Sequence, residues 1–262
     1  MSKLFSMEYF PSLTSNEEFL ARLTDEKHSG WRILNQHLLL STFSFIYGVV
    51  MGSYHSFLQA VTTGLKVSLL FTAVLLICFP AFFIIQYILG SRLGLRQMIS
   101  VVLSGFVLTT AIMVSFAPII VIFLLTGSNY HFLQLLHVAV FVLSGLFGMK
   151  TIVDALRFSC ERKNVYPRVG VVVFRFWVVI LAFVGIQLAW NLRPFLGDRG
   201  QPFELFREYE GNFYTALIYS VKQLVKPEEK PEAPPVTNKD VPHYDVDSAT
   251  ADSLLEAFRR GS

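Results

Sequence analysis

Of the 262 residues, 53% are hydrophobic, 15% aromatic and only 16% charged, with a formal net charge of +3. Such a composition excludes an ordinary soluble domain, and the charges avoid four long stretches, 33–65, 67–91, 97–149 and 176–192. The basic residues sit at the ends of apolar runs without forming a patch interleaved with exposed aromatics, which excludes nucleic-acid binding.

Residues 1–32 are polar. Within them Ser15-Asn16-Glu17-Glu18 reads as a capping box, and Phe19, Leu20 and Leu23 share one side of the helix that should follow, so an amphipathic helix near the membrane surface is expected. This stretch lacks a signal peptide's basic start and apolar core, so the first apolar run is expected to stay in the chain. That first span covers about Asn35 to Phe57 and carries His37, Ser41, Thr42, Ser44, Tyr47, Ser53 and His55, which suits a helix facing protein more than lipid. Gly48 and Gly52 form a GxxxG spacing that lets a neighbouring backbone approach, either within the chain or from a second copy.

The second span, Lys66 to Gly90, has about the 20 apolar residues needed to cross a hydrocarbon layer roughly 30 Å thick. Pro80 near its middle removes a backbone hydrogen bond and predicts a kink. A third span follows from Gln97 to about Thr126 with Pro118 in its second half, and Gly127-Ser128-Asn129-Tyr130 reads as a turn. The fourth span, Phe132 to Leu156, repeats small-xxx-small spacing at Ser144 and Gly148. The basic connection Arg157–Arg168 leads to a fifth span, Val169 to Trp190. Cys78 lies in a span and Cys160 in that connection, so no disulfide framework is expected.

The expected fold is therefore all-α, a polytopic bundle of five transmembrane helices over 33–192, with flanking amphipathic helices. Arg22, Lys27 and Arg32, then Arg92 and Arg96, then the basic residues between the fourth and fifth spans, fall on one side of the membrane; the other side has Lys66 and little else. Positive charge is retained in the cytoplasm, so the amino terminus is expected inside and the carboxyl terminus outside, with the bacterial inner membrane as the expected location. Residues 193–225 are rich in aromatics, among them Phe203, Phe206, Tyr209, Phe213 and Tyr214, and read as an interfacial helical segment. In the final stretch, 226–262, a proline-rich charged linker precedes a short amphipathic helix with Leu254, Leu255 and Phe258 on one face, the form of a tethered peptide that docks on a protein partner.

Chemistry is sparse in this pattern. His131 and His137 are six residues apart, well around a helix from one another, and do not form a chelating pair. No phosphate loop, HExxH or GxSxG occurs, and neither metal nor cofactor is expected. Charges at membrane depth usually pair or line a polar path, so Lys150, Asp154 and Arg175 are read as an intramembrane ion-pair cluster, with an ion or proton path as the alternative.

The elements GVVMGSYHS, LKVSLLF, ICFPAFF, SFAPI and FVGIQLAWNLRPFLGDRGQPFELFRE resemble a group of uncharacterised bacterial multipass membrane proteins, over roughly residues 45–215. The most specific part is the W-x-L-R-P-F element at Trp190, Leu192, Arg193, Pro194 and Phe195. Five spans with a cytoplasmic amino terminus also resemble, in topology alone, the Yip1-type membrane trafficking proteins. The resemblance implies membrane residence but supplies no activity. The reading is thus a non-enzymatic membrane scaffold, assembly or partner-recruiting factor in the lipid bilayer, with a small transporter or channel as the alternative.

Overall fold

The computed structural model describes residues 29–88, 94–127, 129–162, 168–197, 203–206 and 213–225. Six helices run through them: α1 (Ser29–Gly52), α2 (Phe57–Ile88), α3 (Leu95–Leu125), α4 (Tyr130–Arg162), α5 (Arg168–Leu192) and α6 (Phe213–Val225). No strand occurs among the described residues, and α1 to α5 are long and apolar enough to cross a membrane. A helix satisfies every backbone group internally, the requirement that lipid imposes on any crossing segment. The protein is a multipass helical membrane protein. The expected amphipathic helix in 1–28 and the linker and terminal helix of 226–262, including Leu254, Leu255 and Phe258, lie outside the described residues.

Helix limits depart from the hydropathy pattern in an informative way. α2 starts at Phe57, well before Lys66, and α1 stops at Gly52, so the residues around Phe57 open the second helix instead of closing the first. The 32 residues of α2, at 1.5 Å each, measure roughly 48 Å against a hydrocarbon core of roughly 30 Å. α2 and α3 continue through Pro80 and Pro118 respectively.

Successive helices run antiparallel, so the start of α1, the end of α2 and the start of α3 share one end of the bundle. The ends of α1 and α3 and the starts of α2 and α4 share the other. α1 packs on α2 and α3, α3 on α4, and α2 on α5. The first half of α3, from Met98 to Thr110, is almost wholly buried on every side, whereas Ile119, Ile122 and Leu125 in its second half are exposed. Its first half is the axis of the bundle.

Close helix contacts are made by small residues. A Cβ on Gly48 would lie 2.7 Å from both the Gly64 Cα and the Thr63 carbonyl oxygen, and one on Gly52 would lie 2.8 Å from the Ala60 Cα. These glycines let α1 and α2 of the same chain touch backbone to backbone. Gly148 of α4 sits against Gly105 and Thr109 of α3 in the same way, with Ser144 buried one turn earlier. Apolar packing fills the rest: Leu39, Leu40, Phe82, Met98, Leu103 and Ile152 belong to one cluster, and Tyr47, Met113, Ile120 and Val140 to a smaller one. α5 is the outlying span. It buries Trp177 and Leu181 against the bundle, with the Trp177 ring 4.4 Å from that of Phe82, and leaves Val172, Phe176, Val179 and Phe183 exposed.

Candidate functional site

Gln59, Thr63 and Lys66 are spaced by four and three residues, which aligns them on one face of a helix. That face of α2 is buried, with Lys66 only 6% exposed. Against it lies the chain that leaves α5. The Gln59 Nε2 group donates to the Pro194 carbonyl at 3.1 Å and to the Phe195 carbonyl at 3.4 Å, and the Thr63 hydroxyl donates to the Phe195 carbonyl at 2.7 Å. The Lys66 ammonium donates to the Pro194 carbonyl at 3.2 Å and to the Leu205 carbonyl, and lies 5.0 Å from the centre of the Phe206 ring. Three donors of one helix thus hold three carbonyls of the non-helical residues 193–197 and 203–206, the strap.

The strap is shaped to fit. The Arg193–Pro194 peptide is cis, and Gly197 takes a φ of +65° with its Cα facing His55, where a side chain would put its Cβ 2.8 Å from the His55 Cβ. Only glycine meets both conditions. Pro194 and Leu196 are buried, and the Arg193 guanidinium stacks 3.6 Å from the centre of the Trp190 ring. Trp190, Arg193, Pro194 and Phe195, singled out in the sequence, therefore share one structure, which we call the clasp. Gln59 and Thr63 escaped the sequence reading, where Lys66 served only as a boundary charge. The signal was their alignment with Lys66 on one helical face.

Two further polar groups lie near the same end. The Tyr47 hydroxyl is 2.8 Å from His137 Nδ1, both side chains being buried, and the rings meet edge to face. His137 Nε2 and the Ser144 hydroxyl are buried without a hydrogen-bond partner. On the next turn out, the Ser220 hydroxyl of α6 lies 3.3 Å from His131 Nδ1 and donates to the Gln134 side chain at 3.0 Å. His131 and His137 are thus engaged separately, and no group of three metal-ligating side chains meets among the described residues.

At the opposite end of the bundle, Gln36 of α1 and Ser100 of α3 exchange two hydrogen bonds. The Ser100 hydroxyl donates to Gln36 Oε1 at 2.8 Å, and Gln36 Nε2 donates to the Ser100 carbonyl at 3.2 Å. Gln97 accepts the Gly94 N–H at 3.0 Å, capping α3. Buried Arg32 and Asn35 lie along the same end of α1. This is the end at which the basic connections gather.

Lys150, Asp154 and Arg175 receive unequal surroundings. Lys150 and Arg175 are exposed, and Asp154, one turn beyond Lys150 on α4, is half-buried and partnered. All three lie toward the α4–α5 connection, away from the clasp. Comparison with protein-family models, with curated proteins and with solved structures yields no match to this chain.

Proposed function

We propose that the protein is a non-enzymatic, multipass membrane scaffold or assembly factor that presents segments outside the bilayer to a protein partner. The observation that carries this reading is the clasp: Gln59, Thr63 and Lys66, a polar face of α2 at one end of the bundle, are spent on the chain's own strap. An end of the bundle whose aligned polar side chains hold its own chain suits presentation more than turnover. The gathering of basic residues near the α1 start supports an amino terminus in the cytoplasm, and a bacterial cytoplasmic membrane is the proposed location.

The test is crosslinking in native membranes followed by identification of what is bound. Truncation after Val225 should leave insertion and melting temperature nearly unchanged while abolishing recovery of the partner held by the Leu254, Leu255 and Phe258 helix. A truncated protein that still recovers the same partner would refute this docking role.

A small transporter is the second reading, favoured by one observation: Tyr47 and His137 form a buried polar pair inside the bundle, with His137 Nε2 unpartnered. A proton or ion path through Lys150, Asp154 and Arg175 belongs to the same reading. Reconstituted protein that carries protons or ions across sealed vesicles, and loses this on His137→Gln, would replace the scaffold.

A further inference from the structure

α6 has three faces, and one of them packs against the bundle. Phe213, Ala216, Leu217 and Ser220 face the bundle: Phe213 meets Trp190 at the end of α5 with ring centres 6.4 Å apart, and Ser220 engages His131 and Gln134 at the start of α4. From Phe213 to Ser220 is about 10 Å along a helix, close to the spacing of adjacent packed helices. α6 therefore steps from the end of one span to the start of its neighbour, and so lies across the span ends instead of alongside a span.

The second face is polar. Thr215, Tyr219, Lys222 and Gln223 share it, and Gln223 donates to the Tyr219 hydroxyl at 2.8 Å. The third face carries Tyr214, Ile218, Val221 and Val225, which are 47%, 55%, 46% and 77% exposed. Four large apolar side chains in one row, next to a polar row, are the pattern of a helix half sunk in a bilayer surface. The apolar surface of the spans continues at this end of the bundle through exposed Phe57, Leu58 and Leu125. Aromatic contacts mark the same level, Tyr54 with Tyr130, Tyr130 with His131, and His131 with Tyr219. Such rings concentrate where hydrocarbon meets headgroups.

We infer that the Tyr214–Ile218–Val221–Val225 face of α6 is a lipid-binding surface, seated in the headgroup–acyl boundary of the leaflet at the clasp end, with the Thr215–Lys222 face in water. The occupant is the bilayer in which the five spans sit, and the inference does not depend on the scaffold reading.

Single cysteines at Thr215, Ile218, Val221 and Lys222, in the full chain lacking Cys78 and Cys160, are to be spin-labelled and reconstituted in phosphatidylcholine vesicles. Collision with oxygen reports lipid, and collision with a water-soluble nickel chelate reports water. Labels at 218 and 221 should show a several-fold higher oxygen-to-nickel ratio than labels at 215 and 222. Nickel access at all four would place α6 in water. Shielding of 218 and 221 from both reagents would mean that protein, such as a second copy of the chain, covers this face. Either result overturns the proposal.

Discussion

An ammonium removed from water needs partners, and Lys66 finds two main-chain carbonyls and the face of an aromatic ring. Carbonyl dipoles offset only part of the desolvation that a carboxylate would offset, so the clasp acts as a tether whose strength depends on every member being present. Lys66→Met keeps most of the side chain's volume but takes the donor from the Leu205 carbonyl and leaves the Pro194 carbonyl to Gln59. Thr63→Val removes the 2.7 Å bond to the Phe195 carbonyl and leaves it only the longer 3.4 Å bond from Gln59. An unsatisfied buried polar group costs about 1 to 3 kcal/mol, so each substitution should lower the melting temperature in detergent by several degrees. A cysteine at Leu196, only 4% exposed in the intact clasp, should become reactive to maleimide in both variants. Unchanged melting and an unreactive position 196 would show that other contacts hold the strap. Tyr47 and His137 offer a cleaner comparison, because removing the hydroxyl alone leaves an imidazole with neither nitrogen paired. Tyr47→Phe should be destabilising, and adding His137→Leu to it should cost less than His137→Leu costs by itself. Additive losses would mean that the 2.8 Å contact contributes nothing.

At the scale of helices, close approach matters more than hydropathy, because lipid offers apolar side chains nearly the same surroundings as a helix neighbour does. Gly148 and Gly145 lie on the same helix and differ only in what faces them. A Cβ at Gly148 would run into the Thr109 side chain and the Gly105 carbonyl, whereas a Cβ at Gly145 would meet nothing within 4 Å. Gly148→Ala must push α3 and α4 apart, and overpacking of this kind typically costs about 1 to 3 kcal/mol. Gly145→Ala should be neutral or slightly stabilising, since alanine is the better helix former. Melting curves of the two variants in one detergent test this directly; equal shifts would mean that the α3–α4 interface yields without cost. The GxxxG spacing of Gly48 and Gly52 named both residues from sequence alone. It could not name Gly64 or Ala60 as their counterparts, because pairing is a property of two helices and periodicity belongs to one.

For the whole molecule, the five crossing helices were legible because charge-free runs of this length have one physical solution in lipid. The clasp was half legible. Trp190, Arg193, Pro194 and Phe195 stood out as an unusual string, but Gln59 and Thr63 looked like tolerated polar residues in a connection, and nothing local shows that they answer a segment some 130 residues later. Hydropathy marks the apolar run from Lys66 onward, whereas α2 as a helix starts at Phe57 and includes the polar stripe of Gln59 and Thr63. Alternation of the five helices fixes one more consequence. The turn after α1 and the end of α3 must share a side, and the start of α3 must lie on the other. Exposed Ser53, Thr126 and Gly94 mark these places. Cysteines introduced there one at a time, with Cys78 and Cys160 replaced, should fall into two classes toward a membrane-impermeant thiol reagent in sealed cells. Retention of Arg and Lys in the cytoplasm makes 53 and 126 the reactive pair, with 94 labelled only after permeabilisation. The reverse pattern would invert the orientation and leave the fold standing, whereas 94 reacting together with 53 would mean that α2 does not cross the membrane.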